Sequence, residues 1–110
     1  MIIQKFDSLF EVSIPENELQ DLIKVINYII SELAEEISIR TGYTNVEYKA
    51  LVAVLEKHLT MQTFTINQLN MIYQSLNEIN HGLFVPEFDS LFSLSDQKFK
   101  DIQDYIETFL

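Results

Sequence analysis

The 110-residue chain has no cysteine and no tryptophan, only two glycines and two prolines, and few basic residues. Each scarcity excludes something. Without cysteine there is no disulfide framework and no thiolate zinc site. Gly42 and Gly82 alone cannot build a glycine-rich phosphate loop, and they leave little turn chemistry for a many-stranded β fold. Seven basic residues stand against seventeen acidic ones, for a net charge of −10. That balance opposes binding to a phosphate backbone or to an anionic membrane surface. It favours encounter with a basic partner. The longest apolar run, Ala50 to Leu55, is far short of a membrane span. The N-terminus lacks the basic-then-apolar layout of a secretory signal, so the expected location is cytoplasmic.

What is present reads as helix. Apolar residues make up 47% of the chain, with eight Phe and five Tyr, enough for one core and one domain over residues 1–110. Ile2, Ile3, Phe6, Leu9 and Phe10 fit one helical face, with a short strand over residues 1–12 as the alternative. Ser13 and Glu16, with Pro15 between them, read as a capping box. It opens a long amphipathic helix through Leu19, Leu22, Ile23, Ile26, Ile29, Ile30, Leu33 and Ile37, ending near Arg40 before Gly42. Thr44 to Glu47 reads as a second capping box, before a helix expected to be central because Ala50, Ala53 and Val54 make its second side apolar. Residues 60–64 read as a loop joining an antiparallel helix pair. Thr65 to Gln68 is a third box, and the helix it opens is expected to stop at a left-handed Gly82. Ser95 is the expected cap of a last helix carrying Phe99, Ile102, Tyr105, Ile106 and Phe109.

The fold class implied is all-α: an antiparallel bundle of four main helices with one or two short ones. A repeat refines it. Phe-Asp-Ser-Leu-Phe occurs at residues 6–10 and again at 88–92, each copy followed by a serine and an amphipathic stretch. This predicts pseudo-symmetric halves, with Phe6, Leu9, Phe10, Phe88, Leu91 and Phe92 as core anchors. Alternatively each copy is an exposed motif. Ser-Leu-Phe resembles the tail of the pentapeptide by which bacterial proteins engage the sliding clamp, although Phe-Asp stands where that pentapeptide has Gln-Leu.

No catalytic or cofactor signature is found. His58 and His81 have no Cys or second His at ligand spacing, and Glu78 with His81 makes only one Glu-x-x-His. No Asp-x-Asp-x-Asp-Gly loop is present for calcium, and no serine lies in an elbow sequence. The residues from Ile66 to Asn80 contain no Lys or Arg, so a helix-turn-helix contact with duplex DNA is not expected. The expectation is therefore a non-enzymatic protein with neither metal nor cofactor. It would bind a basic protein partner, such as a nuclease or toxin, through Glu32, Glu35 and Glu36 and through Asp96, Asp101, Asp104 and Glu107. In size and charge the chain is similar to small immunity proteins and phage-encoded inhibitors, which implies stoichiometric neutralisation of a target. A second expectation is a self-associating subunit, a homodimer that buries surplus apolar surface. A third is an adaptor that displays Ser-Leu-Phe to a replication clamp.

Overall fold

A computed structural model describes residues 1–110. The chain is α+β. It opens with a hairpin of β1 (Ile2–Phe6) and β2 (Leu9–Ser13), and β3 (Met61–Thr65) joins the same antiparallel sheet in the order β1-β2-β3. The helices are α1 (Glu16–Leu33), α2 (Ile37–Thr41), α3 (Asn45–Leu55), α4 (Ile66–Asn77), α5 (Phe88–Leu91) and α6 (Asp96–Glu107). No helix is long and apolar enough to cross a membrane.

The sheet corrects the all-α expectation, and the reason is local. Phe10, Val12 and Ile14 alternate at period two and are all buried, while Leu9 and Glu11, on the opposite parity, face outward. Asp7 and Ser8 close the hairpin between Phe6 and Leu9. Asp7 takes a positive φ of 55°, which aspartate tolerates, so the turn forms without glycine. Residues 60–64 are likewise not a loop. Gln62 and Phe64 point inward from β3, and Thr63 and Thr65 supply β-branched residues on the outer face.

The helix boundaries follow from caps and strain. Thr44 and Thr65 form complete capping boxes with Glu47 and Gln68. The Ser95 side chain accepts the Lys98 N–H, opening α6. Ser13 does not cap α1. It ends β2, and α1 begins after Pro15 without a side-chain cap. The long helix is also not continuous to Arg40. Ala34 adopts φ 46° and ψ −120°, ending α1, and a 3-10 turn (Ala34–Glu36) leads into α2. Gly42, at φ 86°, terminates α2 in the left-handed conformation.

The central helix is α4. It packs against both α1 and α6, and it buries Leu69, Met71, Ile72, Ser75 and Leu76. The second side of α3 is at the surface: Ala50 and Ala53 are exposed and Val46 is 76% exposed. α3 packs mainly on α1, and β3 separates it from α4 in sequence, so the expected directly linked helix pair does not form.

The two pentapeptide copies take different structures. The first spans the end of β1, the turn and the start of β2. The second is α5 plus Phe92. Pseudo-symmetric halves are therefore absent. Only the last phenylalanine is buried in both copies, Phe10 at 3% exposure and Phe92 at 5%. Phe6, Leu9 and Leu91 are exposed, and Phe88 is half-buried. Phe10 packs edge-on against Phe109 at 6.3 Å between ring centroids. Phe88, Phe92 and Phe99 form a compact trio with centroids 4.9 to 5.6 Å apart. Such pairs add stabilisation beyond the area they bury.

Three buried carboxylates tie distant segments together. Glu18 accepts from the Met1 amine at 2.9 Å. Asp21, fully buried on α1, accepts the Leu94 N–H at 2.7 Å and anchors the segment between α5 and α6. Glu78 pairs with Arg40 through two nitrogens, at 3.0 and 2.7 Å.

Candidate functional site: the acidic surface

Seventeen acidic residues divide sharply. Glu18, Asp21 and Glu78 are buried, and the other fourteen are exposed. Of the seven basic residues, Arg40 is taken up by Glu78, which leaves six lysines against those fourteen carboxylates. The surface is thus acidic because exposed carboxylates outnumber the lysines by more than two to one.

Two groups of exposed carboxylates stand out, and within them Glu32, Asp104 and Glu107 lie in last helical turns, whereas Glu35 and Glu36 immediately precede α2 and Asp101 is in the middle of α6. Glu32 is in the last turn of α1, and Glu35 and Glu36 follow on the 3-10 turn. Asp101, Asp104 and Glu107 recur every three residues along the exposed side of α6, opposite Phe99, Ile102, Gln103 and Ile106. Neither α1 nor α6 has a basic residue in its last turn. A helix C-terminus already carries about half a negative charge, so acids placed there are unfavourable and deepen the local negative potential. Glu32 also acts on Tyr28, whose hydroxyl pKa is raised, first by burial and then by this carboxylate.

The expected contact residues are not equally free. Asp96 is bridged by Lys100 at 3.2 Å, and Asp101 accepts from Gln97 at 2.9 Å. No short side-chain contact holds Glu32, Glu35, Glu36, Asp104 or Glu107. The two groups remain separate clusters on different elements.

Other candidate chemistry resolves into structure. Glu78 is committed to Arg40, while His81 is exposed in the π-helical turn (Glu78–Gly82). Gly82 does not have the left-handed conformation. A Cβ there would overlap Glu78 Oε2 and crowd an Arg40 nitrogen. The ion pair lies against the backbone of this glycine, so a side chain there would have to displace the ends of Glu78 and Arg40, and Arg40 also donates to the Gly82 carbonyl at 3.0 Å. Sequence spacing could not reveal this, since Arg40 and Glu78 come from distant elements. His58 sits in the left-handed region at φ 53° and reaches Glu16 at 2.8 Å, on the surface. No three His, Asp or Glu side chains stand close enough together to hold a metal ion.

The largest surface hollows are open grooves. One, of about 440 Å³, is lined by Gln20, Ile23, Lys24, Glu56 and His58. Another, of about 430 Å³, lies between α1 and α5 and includes Tyr28, Leu91 and Phe92. Neither gathers the convergent polar groups of a small-molecule site. Comparison with known proteins gives no further direction: no family model, no curated protein and no solved structure matches the chain.

Proposed function

We propose that this is a non-enzymatic, cytoplasmic protein that binds and regulates a basic protein partner stoichiometrically. The observation that carries the reading is the fourteen exposed carboxylates set against six lysines, with Glu32, Asp104 and Glu107 in last helical turns where the dipole opposes them and with Glu35 and Glu36 exposed next to Glu32. Such positions weaken the fold slightly and concentrate negative potential, which suits a surface selected for encounter with a cationic one. A partner that handles nucleic acid presents such a surface, because its own ligand is a polyanion. The adaptor reading draws no support from the geometry, since the phenylalanine ending each Ser-Leu-Phe is buried.

The test is capture from a lysate of the native host with the tagged chain, washed at rising salt and identified by mass spectrometry. Two charge-reversal variants run beside it: Glu32→Lys with Glu35→Lys and Glu36→Lys, and Asp101→Lys with Asp104→Lys and Glu107→Lys. The expected result is one basic protein, released by salt and lost in at least one variant. Binding indifferent to both salt and charge reversal would remove the electrostatic mechanism.

A further inference from the structure

The sheet has two edges, and they are not alike. On β1 the Ile3 N–H is taken by the Tyr105 hydroxyl at 2.9 Å, and Lys5 puts a charge on the strand. Both devices discourage strand addition. β3 has neither. The bond from the Ile14 N–H to the Thr60 carbonyl, 2.8 Å, and the pairing of Val12 with Gln62 and Phe10 with Phe64 set the inward-bonding row of this strand. Antiparallel alternation then turns the N–H and C=O groups of Met61 and Thr63 outward. Neither residue's backbone has a bonding partner on that side.

The edge is also uncharged. From Leu59 to Asn77 the chain has no Asp, Glu, Lys, Arg or His. Burial accounts for this in α4, but Leu59, Met61, Thr63, Thr65 and Ile66 are exposed. On a chain of net charge −10, this is a surface on which a second copy can dock without bringing carboxylates together. The strand Met-Gln-Thr-Phe-Thr is compatible with two-fold pairing. With Thr63 opposite the second copy's Thr63, the two threonines form a favourable cross-strand pair, and Met61 falls opposite Thr65, whose N–H stays with Gln68.

We propose that β3 is a dimerisation edge, at which a second copy of this chain pairs antiparallel about a two-fold axis at Thr63 to give a continuous six-stranded sheet. The proposal is independent of the acidic surface, and salt separates the two. Screening relieves repulsion between like-charged copies and tightens the dimer, whereas it loosens a complex with a basic partner.

The experiment is analytical ultracentrifugation of the untagged chain over a concentration series at low and high salt, with Thr63→Lys, Thr63→Pro and Lys5→Glu. The Thr63 N–H faces outward, so proline removes an edge donor and leaves the β2–β3 ladder intact. Circular dichroism checks that each variant keeps its fold. The expected wild-type mass rises from 12.9 kDa towards twice that value, more readily at high salt. Both Thr63 variants should weaken association by more than about tenfold, and Lys5→Glu should not. A wild type that stays monomeric into the high micromolar range at high salt overturns the proposal. So does a dimer indifferent to both Thr63 changes. A monomer whose capture of some other protein is abolished by Thr63→Pro also overturns it, and assigns the edge to that chain.

Discussion

Arg40 and Glu78, distant in sequence, meet as a two-pronged ion pair against the backbone of Gly82. The Glu78 side chain is 6% exposed and the Arg40 side chain 34%, so the carboxylate depends on the guanidinium while the guanidinium still touches water. Gly82→Ala must displace the pair, because the added methyl would overlap Glu78 Oε2. Arg40→Met should cost about 2–4 kcal/mol by leaving a buried charge unpaired. Gly82→Ala should cost a comparable amount, and combining the two should cost much less than their sum. Chemical denaturation of the three variants checks this; full additivity would mean that the glycine serves some other purpose.

The repeated pentapeptide separates residues that look equivalent in sequence. Phe10→Ala and Phe92→Ala should each cost about 3–5 kcal/mol, because both rings are buried in aromatic contacts. Leu9→Ala and Leu91→Ala, at 40% and 39% exposure, should each cost about 1 kcal/mol or less. Melting temperatures of the four variants provide the comparison. Equal losses at the leucines and phenylalanines would contradict the packing described.

Much of the helical part was legible in sequence because its signals are local. Thr44 with Glu47, Thr65 with Gln68 and Ser95 before Lys98 each act within one turn, and all three cap as their spacing implies. The sheet was not legible, because β2 acquires its second neighbour only at β3, and because Asp7-Ser8 turns without the glycine that usually marks a hairpin. The apolar residues of 2–10 then match a helical face by count, and only the buried row of Phe10, Val12 and Ile14 distinguishes the two. Of the proposed contact residues, exposure was legible from helical period. The pairing of Asp96 with Lys100 follows from their four-residue spacing on one helix and was open to sequence reasoning. The openness of the β3 edge could not be seen while residues 60–64 read as a loop.

Ala34 ends α1 at a backbone angle that favours glycine. Ala34→Gly relieves strain of about 1–3 kcal/mol and adds unfolded-state entropy worth about 0.5–1 kcal/mol. The net expectation is stabilisation by about 0.5–2 kcal/mol, read as a higher denaturation midpoint. A lower midpoint would show that the alanine side chain does more than fill space.

Tyr48 is fully buried, donates to the Met71 carbonyl at 3.1 Å, and has its pKa pushed up to about 12, chiefly by burial. The folded value lies above the unfolded value of 10.0, so folding retains the proton. Its contribution is complete below pH 10 and is lost as the pH rises towards 12. Across that window the wild type should lose up to about 3 kcal/mol that Tyr48→Phe does not lose. At neutral pH the variant should be about 1 kcal/mol weaker, for want of the hydrogen bond. Parallel alkaline slopes for the two proteins would contradict the assignment.

The hairpin and β3 are separated in the chain by α1, α2 and α3, yet they end as one sheet. The order of assembly follows. β1 and β2 can close over their two-residue turn in microseconds, but β3 must wait for a long loop to be drawn shut. Until it arrives, Phe10 and Val12 have no sheet neighbour on that side. The sheet is therefore completed well after its own hairpin, and a fluorescent probe on β3 should report later than one within α1.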